Sequence, residues 1–365
     1  MKEASVDTPK RPDTHLHRFS GVDGFRILAT YAVVGLHSGF NQAYAVTSSA
    51  DAFQDVLNFA VPTFLALAFF LQISRKNDGG FNISARLQRL MVPYLVWTAL
   101  HLIARAAKYA MQHQPAKIHE LISDPVALLL FGAASVQLYF LPLLFVGGCL
   151  CAYLNHPLRA APTFLLLIFL VLAVLANHQM IVSGNGFDLS AGRAFQVLAP
   201  PHEGHPIFDQ ITRIVLVCIC WMIRCLPYII GLSILVRYVA SPVFTARWLL
   251  IPWVALFVFF DLIPLPSGLN EIAIGLSAVA SATILSTWLP PSRSVSKIAN
   301  FTFGIFLVHD LVLEVLEMVS KRFLELHISL IQLVAISVTA FSISAMVVWI
   351  GSRLGKAGRT VFAIG

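Results

Sequence analysis

The stretch FLLLIFLVLAVLA (164–176) runs apolar without a break. A membrane β-barrel strand alternates apolar and polar residues over segments of about ten, and this run does not alternate. It reads as part of a helix that is apolar on every face, which is what lipid on all sides requires. Comparable runs recur along all 365 residues. Hydrophobic residues make up 58% of the chain, charged residues 12%, and the mean hydropathy is +0.78. A soluble domain carries about 25% charged residues, so this chain lacks the polar residues to cover a water-facing surface. Those figures exclude a soluble enzyme, a disordered chain and a secreted disulfide scaffold. The expected fold class is all-α: a polytopic membrane protein, a bundle of about ten transmembrane helices with both termini cytoplasmic.

The ten expected spans lie near 22–40, 53–73, 89–111, 136–154, 160–178, 211–237, 247–263, 270–288, 298–319 and 328–350. The apolar stretch 125–135 is too short to cross and is expected to re-enter or to pack on the bundle. Orientation follows from Lys and Arg. With the N-terminus inside, the outer side holds only Arg105, Lys108, Lys117, Arg193, Arg213, Lys321 and Arg322. Arg26 and Arg224 fall within the membrane, and the larger remainder of the Lys and Arg residues falls inside. The net charge of +7 is then the cytoplasmic bias of a membrane protein, and no nucleic-acid partner is expected. The opening MKEASVDTPKRPDTHLHR lacks the apolar core of a signal peptide, so the first apolar segment is expected to stay as a helix. The domain reading is a cytoplasmic tail over 1–20, one transmembrane domain over 21–351 and a cytoplasmic tail over 352–365. Cys149, Cys151, Cys218, Cys220 and Cys225 sit in apolar runs without metal-type spacing and read as small core residues. His202 and His205 follow two prolines in the long loop 179–210 and do not read as a zinc site.

Ionisable residues inside a membrane span are costly and mark candidate sites. Arg26 and His37 are the clearest pair. Eleven residues at 100° each come to three turns plus about 20°, so both project from one helix face, about 16 Å apart along the axis. A guanidinium suits phosphate, and a neutral imidazole suits general-base work. Arg86 and Arg89, three apart at the start of the third span, share a face where Asn82 or Ser84 can cap the helix. Two guanidiniums there suit a diphosphate or a sugar phosphate, or they anchor the span on its cytoplasmic side. Asp310, Glu314 and Glu317 form an acidic stripe in the ninth span that Lys321 continues. That stripe reads as a surface for sugar hydroxyls, as the wall of a water-filled vestibule, or as a solvated helix end. Asp261 lies near the end of its span, and Arg224 needs a partner that its own segment does not supply. Gly-rich phosphate loops, HExxH and GxSxG are absent from the sequence.

Several segments together resemble acyltransferase family 3, over about 18–350. The first helix carries that family's Asp-Gly-x-Arg and following His at Asp23, Gly24, Arg26 and His37. VPTFLALAFFLQISR resembles its second span around Pro62, Phe64 and Phe70. ARLQRLMVPYLVW resembles its Arg-x-x-Arg element at Arg86, Arg89, Pro93, Tyr94 and Trp97. QLYFLPLL resembles its Trp-Phe-Leu segment with Tyr139 in place of Trp. FTFGIFLVH resembles its late Gly-Ile-Tyr-Leu-x-His segment, with Phe306 for Tyr and His309 retained. The family's Ser-Gly after the second-span Phe run is here Ala68-Phe69.

The resemblance implies transfer of an acyl group, usually acetyl, from cytoplasmic acetyl-CoA to a hydroxyl of a glycan or lipid-linked oligosaccharide, with no metal. By length it is nearest the xanthan-type exopolysaccharide O-acetyltransferases, in a bacterial inner (cytoplasmic) membrane. Arg86, Arg89 and Arg26 then pair with the phosphates of the donor. His37 takes the proton of the acceptor hydroxyl or carries the acyl group briefly, and Asp23, His309 or Tyr139 orients the base or donates to the oxyanion. Two readings without chemistry stand beside this one. A transporter or flippase of a lipid-linked sugar accounts for the buried charges but does not require an Arg-x-x-Arg element together with a co-facial His. A membrane scaffold or sensor leaves His37, Arg224 and His309 unexplained.

Overall fold

The computed structural model describes residues 19–39, 45–74, 82–182, 206–239, 246–263, 265–320 and 327–363. Residues 1–18, the loop 183–205 with Arg193, His202 and His205, and Arg75, Lys76, Lys321 and Arg322 lie outside the described residues. In chain order the elements are α1 (Ser20–His37), β1 (Ala45–Val46), α2 (Ser48–Val56), α3 (Ala60–Ile73), α4 (Ile83–Met111), α5 (Pro115–Ile122), α6 (Pro125–Leu130) and α7 (Phe140–Ala160). There follow α8 (Thr163–Met180), α9 (Pro206–Val239), α10 (Leu250–Leu262), α11 (Ser267–Leu285), α12 (Arg293–Ser320), β2 (His327–Ile328), α13 (Leu330–Ser352) and α14 (Gly355–Val361). A 3-10 turn at Val136–Tyr139 leads into α7.

Each of the ten expected segments holds a helix. Among the described residues seven stretches are long and apolar enough to cross a membrane by length and composition: Ser48–Ile73, Ile83–Met111, Gln137–Ala160, Thr163–Met180, Ile207–Val239, Gly268–Leu285 and Leu330–Ser352. The other three segments have visible reasons to fall short. Helix α1 carries Asp23, Arg26 and His37, α12 carries Asp310, Glu314 and Glu317, and α10 is only 13 residues long. The all-α expectation has one small exception. Ala45 and Val46 pair in parallel with His327 and Ile328, tying the segment after α1 to the segment after α12.

The run that fixes the fold class lies in α8. Only Leu166, Ala173 and Asn177 of that helix are buried, while Phe164, Leu167, Ile168, Val171 and Leu172 are exposed. A helix apolar all round at the rim of a bundle needs a lipid solvent. Helix α1 is the opposite case: it packs against α3, α11, α12 and α13 and occupies the centre. Small residues permit this. A Cβ on Gly21 would collide with the Ala282 carbonyl of α11 and with Ser286, the residue that ends it, so only glycine lets those two backbones meet. The Gly21 amide donates to Ser286 Oγ at 2.9 Å across that contact.

Helices α1 and α12 run side by side in the same direction. Asp23 meets Ser296, Arg26 meets Thr302 and His37 meets His309, in order along both helices. Two parallel helices with the same rise per residue keep such pairs in step.

The buried charges find partners across helices. Arg224 of α9 donates through Nη2 to both carboxylate oxygens of Glu271 of α11, at 3.1 and 3.0 Å, and Tyr228 Oη donates to the Glu271 carbonyl at 3.1 Å. The acidic stripe of α12 faces a basic stripe of α4. Asp310 lies 3.8 Å from both His101 and Arg105, Glu314 lies 3.4 Å from Arg105, and Glu317 lies 3.8 Å from Lys108. The stretch 125–135 packs on the bundle. Asp124 caps α6, accepting from the Ala127 amide at 2.9 Å, and bonds Arg213 at 2.6 Å, while Tyr94 Oη donates to the Leu128 carbonyl and accepts from the Gly132 amide.

The Arg224–Glu271 pair is partly buried, and removing one member strands the other. Arg224→Ala is expected to cost about 1.5–3 kcal/mol, read as a lower Tm of the detergent-purified protein. The double variant Arg224→Met/Glu271→Leu is expected to recover most of that loss. A single variant as stable as the wild type would mean that the pair contributes nothing to the fold.

Candidate active site

Arg26, Arg86 and Arg89, which the sequence places on two different helices, line one cavity of about 470 Å³. Its walls come from α1, α3, α4, α7 and α12, with Ala363 of the C-terminal segment at the rim. Asn82 caps α4, its side chain accepting from the Ala85 amide at 2.9 Å, so the first turn of that helix opens beside the two arginines. Helix N-termini favour anions, and so do guanidiniums.

Each arginine is set by its neighbours. Arg26 donates to Thr302 Oγ1 at 3.1 Å and lies 3.7 Å from Asp23, which accepts from Ser296 Oγ at 3.2 Å. Arg86 donates to Gln72 Oε1 at 2.7 Å and to the Leu144 carbonyl at 3.2 Å. Gln72 in turn donates to the Gly148 carbonyl at 2.8 Å. A Cβ at position 148 would overlap the Arg86 guanidinium, so Gly148 is the recess that receives it. Arg89 stays exposed at the mouth.

The other end of the α1–α12 pair holds the histidines. The His37 and His309 rings lie 5.4 Å apart between centroids. His309 is fully buried, and its Nδ1 sits 2.7 Å from the Phe306 carbonyl oxygen. A carbonyl only accepts, so Nδ1 carries the proton and Nε2 carries the lone pair. That Nε2 is buried and has no hydrogen-bond partner among the described residues. A buried basic nitrogen with an open lone pair beside a second imidazole is equipped to take or steady a proton.

Beside His309, Asp310 accepts from Ser135 Oγ at 2.5 Å, and the same hydroxyl lies 2.6 Å from Gln137 Oε1. Gln137 Nε2 is 3.4 Å from His101 Nε2. This polar group borders the histidine pair.

The structure therefore brings His37 and His309 together, and separately gathers Arg26, Arg86 and Arg89. Asp23 belongs to the arginine end, where it holds Arg26; lying one helix-length from His37, it does not reach that ring. Tyr139 closes the 3-10 turn ahead of α7, within electrostatic range of Arg224 and Glu271. Gln72, Gly148 and Thr302 hold the arginines and were not singled out in the sequence. Gln72 did carry a signal, as a polar residue ending an apolar helix.

A family model described as an acyltransferase domain matches residues 19–350. No curated protein matches the chain, and no solved structure matches it. The matched span reaches from the residue before α1 into the last turn of α13, so it takes in the three arginines of the cavity and the histidine pair together. On that match the chain belongs to acyltransferase family 3 and is a multi-pass membrane acyltransferase.

Proposed function

We propose that the protein moves an acetyl group from cytoplasmic acetyl-CoA to a hydroxyl of a glycan or a lipid-linked exopolysaccharide unit, in the inner membrane of a bacterium. The observation that carries this reading is the shared cavity of Arg26, Arg86 and Arg89, set at one end of the same two helices that bring His37 and His309 together at the other. Three guanidiniums around one opening match the several phosphates of a CoA donor. The excess of Lys and Arg on the side assigned to the cytoplasm supports entry of the donor from there.

In the proposed step the acceptor hydroxyl oxygen attacks the thioester carbon as its proton passes to His37. The carbon–sulfur bond breaks, and the departing sulfur takes a proton from the imidazolium, so that CoA leaves as a thiol and His37 returns to neutral. His309 steadies the charged ring through its Nε2 lone pair. If His37 itself carries the acyl group, its ring nitrogen bonds to the thioester carbon as the carbon–sulfur bond breaks and CoA leaves with the ring proton; the acceptor hydroxyl then attacks that carbon, its proton returns to the ring and the carbon–nitrogen bond breaks. Asp23 acts on the donor side by fixing Arg26, and Tyr139 is left as a candidate donor to the oxyanion. The acceptor approaches from the histidine end.

The test is transfer of labelled acetyl from acetyl-CoA into lipid-linked saccharide or polymer in membranes that contain the protein. Label in that fraction, absent from membranes without the protein, is the expected result. Release of CoA with no label in any saccharide fraction would keep the donor and reject the acceptor. Gly148→Ala gives a second check, since it removes no charge. It is expected to dislodge Arg86 and raise the KM for acetyl-CoA by about tenfold with kcat little changed, and an unaltered KM would mean that Arg86 does not hold the donor.

A further inference from the structure

The cavity does not reach the histidines. Its inner wall is formed by Phe64, Phe140 and Phe303. Behind them stands Phe306, buried, with its ring 6.0 Å from Phe64, 5.5 Å from Phe140 and 6.3 Å from Phe303. The Phe64 and Phe140 rings also touch, at 6.3 Å. On its far side Phe306 lies 5.9 Å from the His309 ring. Along α12 the order is Asn300 and Phe303 in the cavity, then Phe306, then His309. Phe306 thus touches both the rings of the cavity wall and the ring of His309.

We infer that Phe306, with Phe64 and Phe140, forms a closed aromatic throat through which the acyl end of the donor reaches His37, and that this throat restricts the donor to short acyl groups. The inference rests on the acyl-CoA reading of the cavity and deepens it by naming the residues that set donor specificity. Edge-on aromatic rings pack at interior density, and tight packing resists added volume. A thin thioester passes once the rings part, and a two-carbon acyl group adds little to its width. A long alkyl chain has to be held among the rings and displaces them, at a cost for every added methylene. The three rings that form the throat are hydrocarbon and offer a carboxylated or hydroxylated acyl group no hydrogen bond.

The experiment is CoA thiol release by the purified full-length protein, with acetyl-CoA, butyryl-CoA and octanoyl-CoA as donors and with water supplying the hydroxyl that takes the acyl group. Wild type is expected to favour acetyl-CoA over octanoyl-CoA in kcat/KM by about a hundredfold or more. Phe306→Ala is expected to narrow that ratio by about tenfold or more, with Phe306→Leu in between. Phe64→Leu, a gentler change on the facing helix, is expected to narrow it in the same direction. The ratio is the informative quantity, because a change that merely loosens the fold lowers all three rates together. Turnover of acetyl-CoA with an unmoved ratio in Phe306→Leu and Phe64→Leu overturns the throat and leaves the acetyltransferase reading standing. No release from any donor by the folded wild-type protein overturns both.

Discussion

His37→Ala is expected to lower acetyl-CoA-dependent CoA release by at least about a hundredfold, while the affinity for acetyl-CoA stays within about threefold. The size follows from what a positioned general base contributes, about 10²–10⁴. The split between rate and affinity follows from place: His37 is beside His309, beyond the phenylalanine wall, and does not line the arginine cavity. His309→Ala removes the partner imidazole and is expected to act in the same direction. His309→Gln keeps a side chain able to accept a hydrogen bond and is expected to retain more activity than His309→Ala. Steady-state kinetics and equilibrium binding on the same preparations separate the two effects. Full turnover by His37→Ala would move the chemistry to another group.

Arg86→Gln is expected to do the reverse, raising the KM for acetyl-CoA by about ten- to hundredfold with a much smaller change in kcat. The magnitude is that of one or two charge-assisted hydrogen bonds to phosphate, about 1.5–3 kcal/mol each. Arg86 is held by Gln72 and the Leu144 carbonyl in the recess at Gly148. Its loss should therefore take from the cavity wall a guanidinium whose position the fold fixes. Arg86→Lys keeps the charge and loses the fork, so it is expected to fall between wild type and Arg86→Gln. Higher ionic strength should weaken donor binding to wild type more than to Arg86→Gln. A KM unchanged in Arg86→Gln would take the donor out of this cavity.

The features legible in the sequence are those that repeat along one helix. The apolar run in α8 gave the fold class, and the spacing of Arg26 and His37 placed them at two levels on one face of α1. The stripe Asp310, Glu314, Glu317 was legible for the same reason. Its partner is not legible in the same way, although His101, Arg105 and Lys108 repeat at the same spacing on α4. Matching two stripes requires knowing which helices touch, and apolar helices in lipid give little sign of that. Arg224 shows the limit plainly, since Glu271 lies 47 positions away on a helix that no local pattern assigns to it.

The segment 352–365, read as a tail, shows the same limit. Gly355 takes a φ of 72°, which favours glycine, and there the chain leaves α13 to form α14. Trp97 then donates to the Val361 carbonyl at 2.9 Å, and Phe362 packs on Trp97 at 5.7 Å and against Gly351. Seven residues containing Gly, Lys, Arg and Thr carry little helical signal by themselves, so their fold comes from the bundle they cover.

The measurement closest to the central claim is calorimetric titration of the purified wild-type protein with acetyl-CoA, run beside CoA thiol release on the same sample. The account predicts saturable binding that free CoA competes away and that Arg86→Gln weakens, together with release that His37→Ala removes. A folded wild-type protein that neither binds acetyl-CoA nor releases CoA from it would contradict the account.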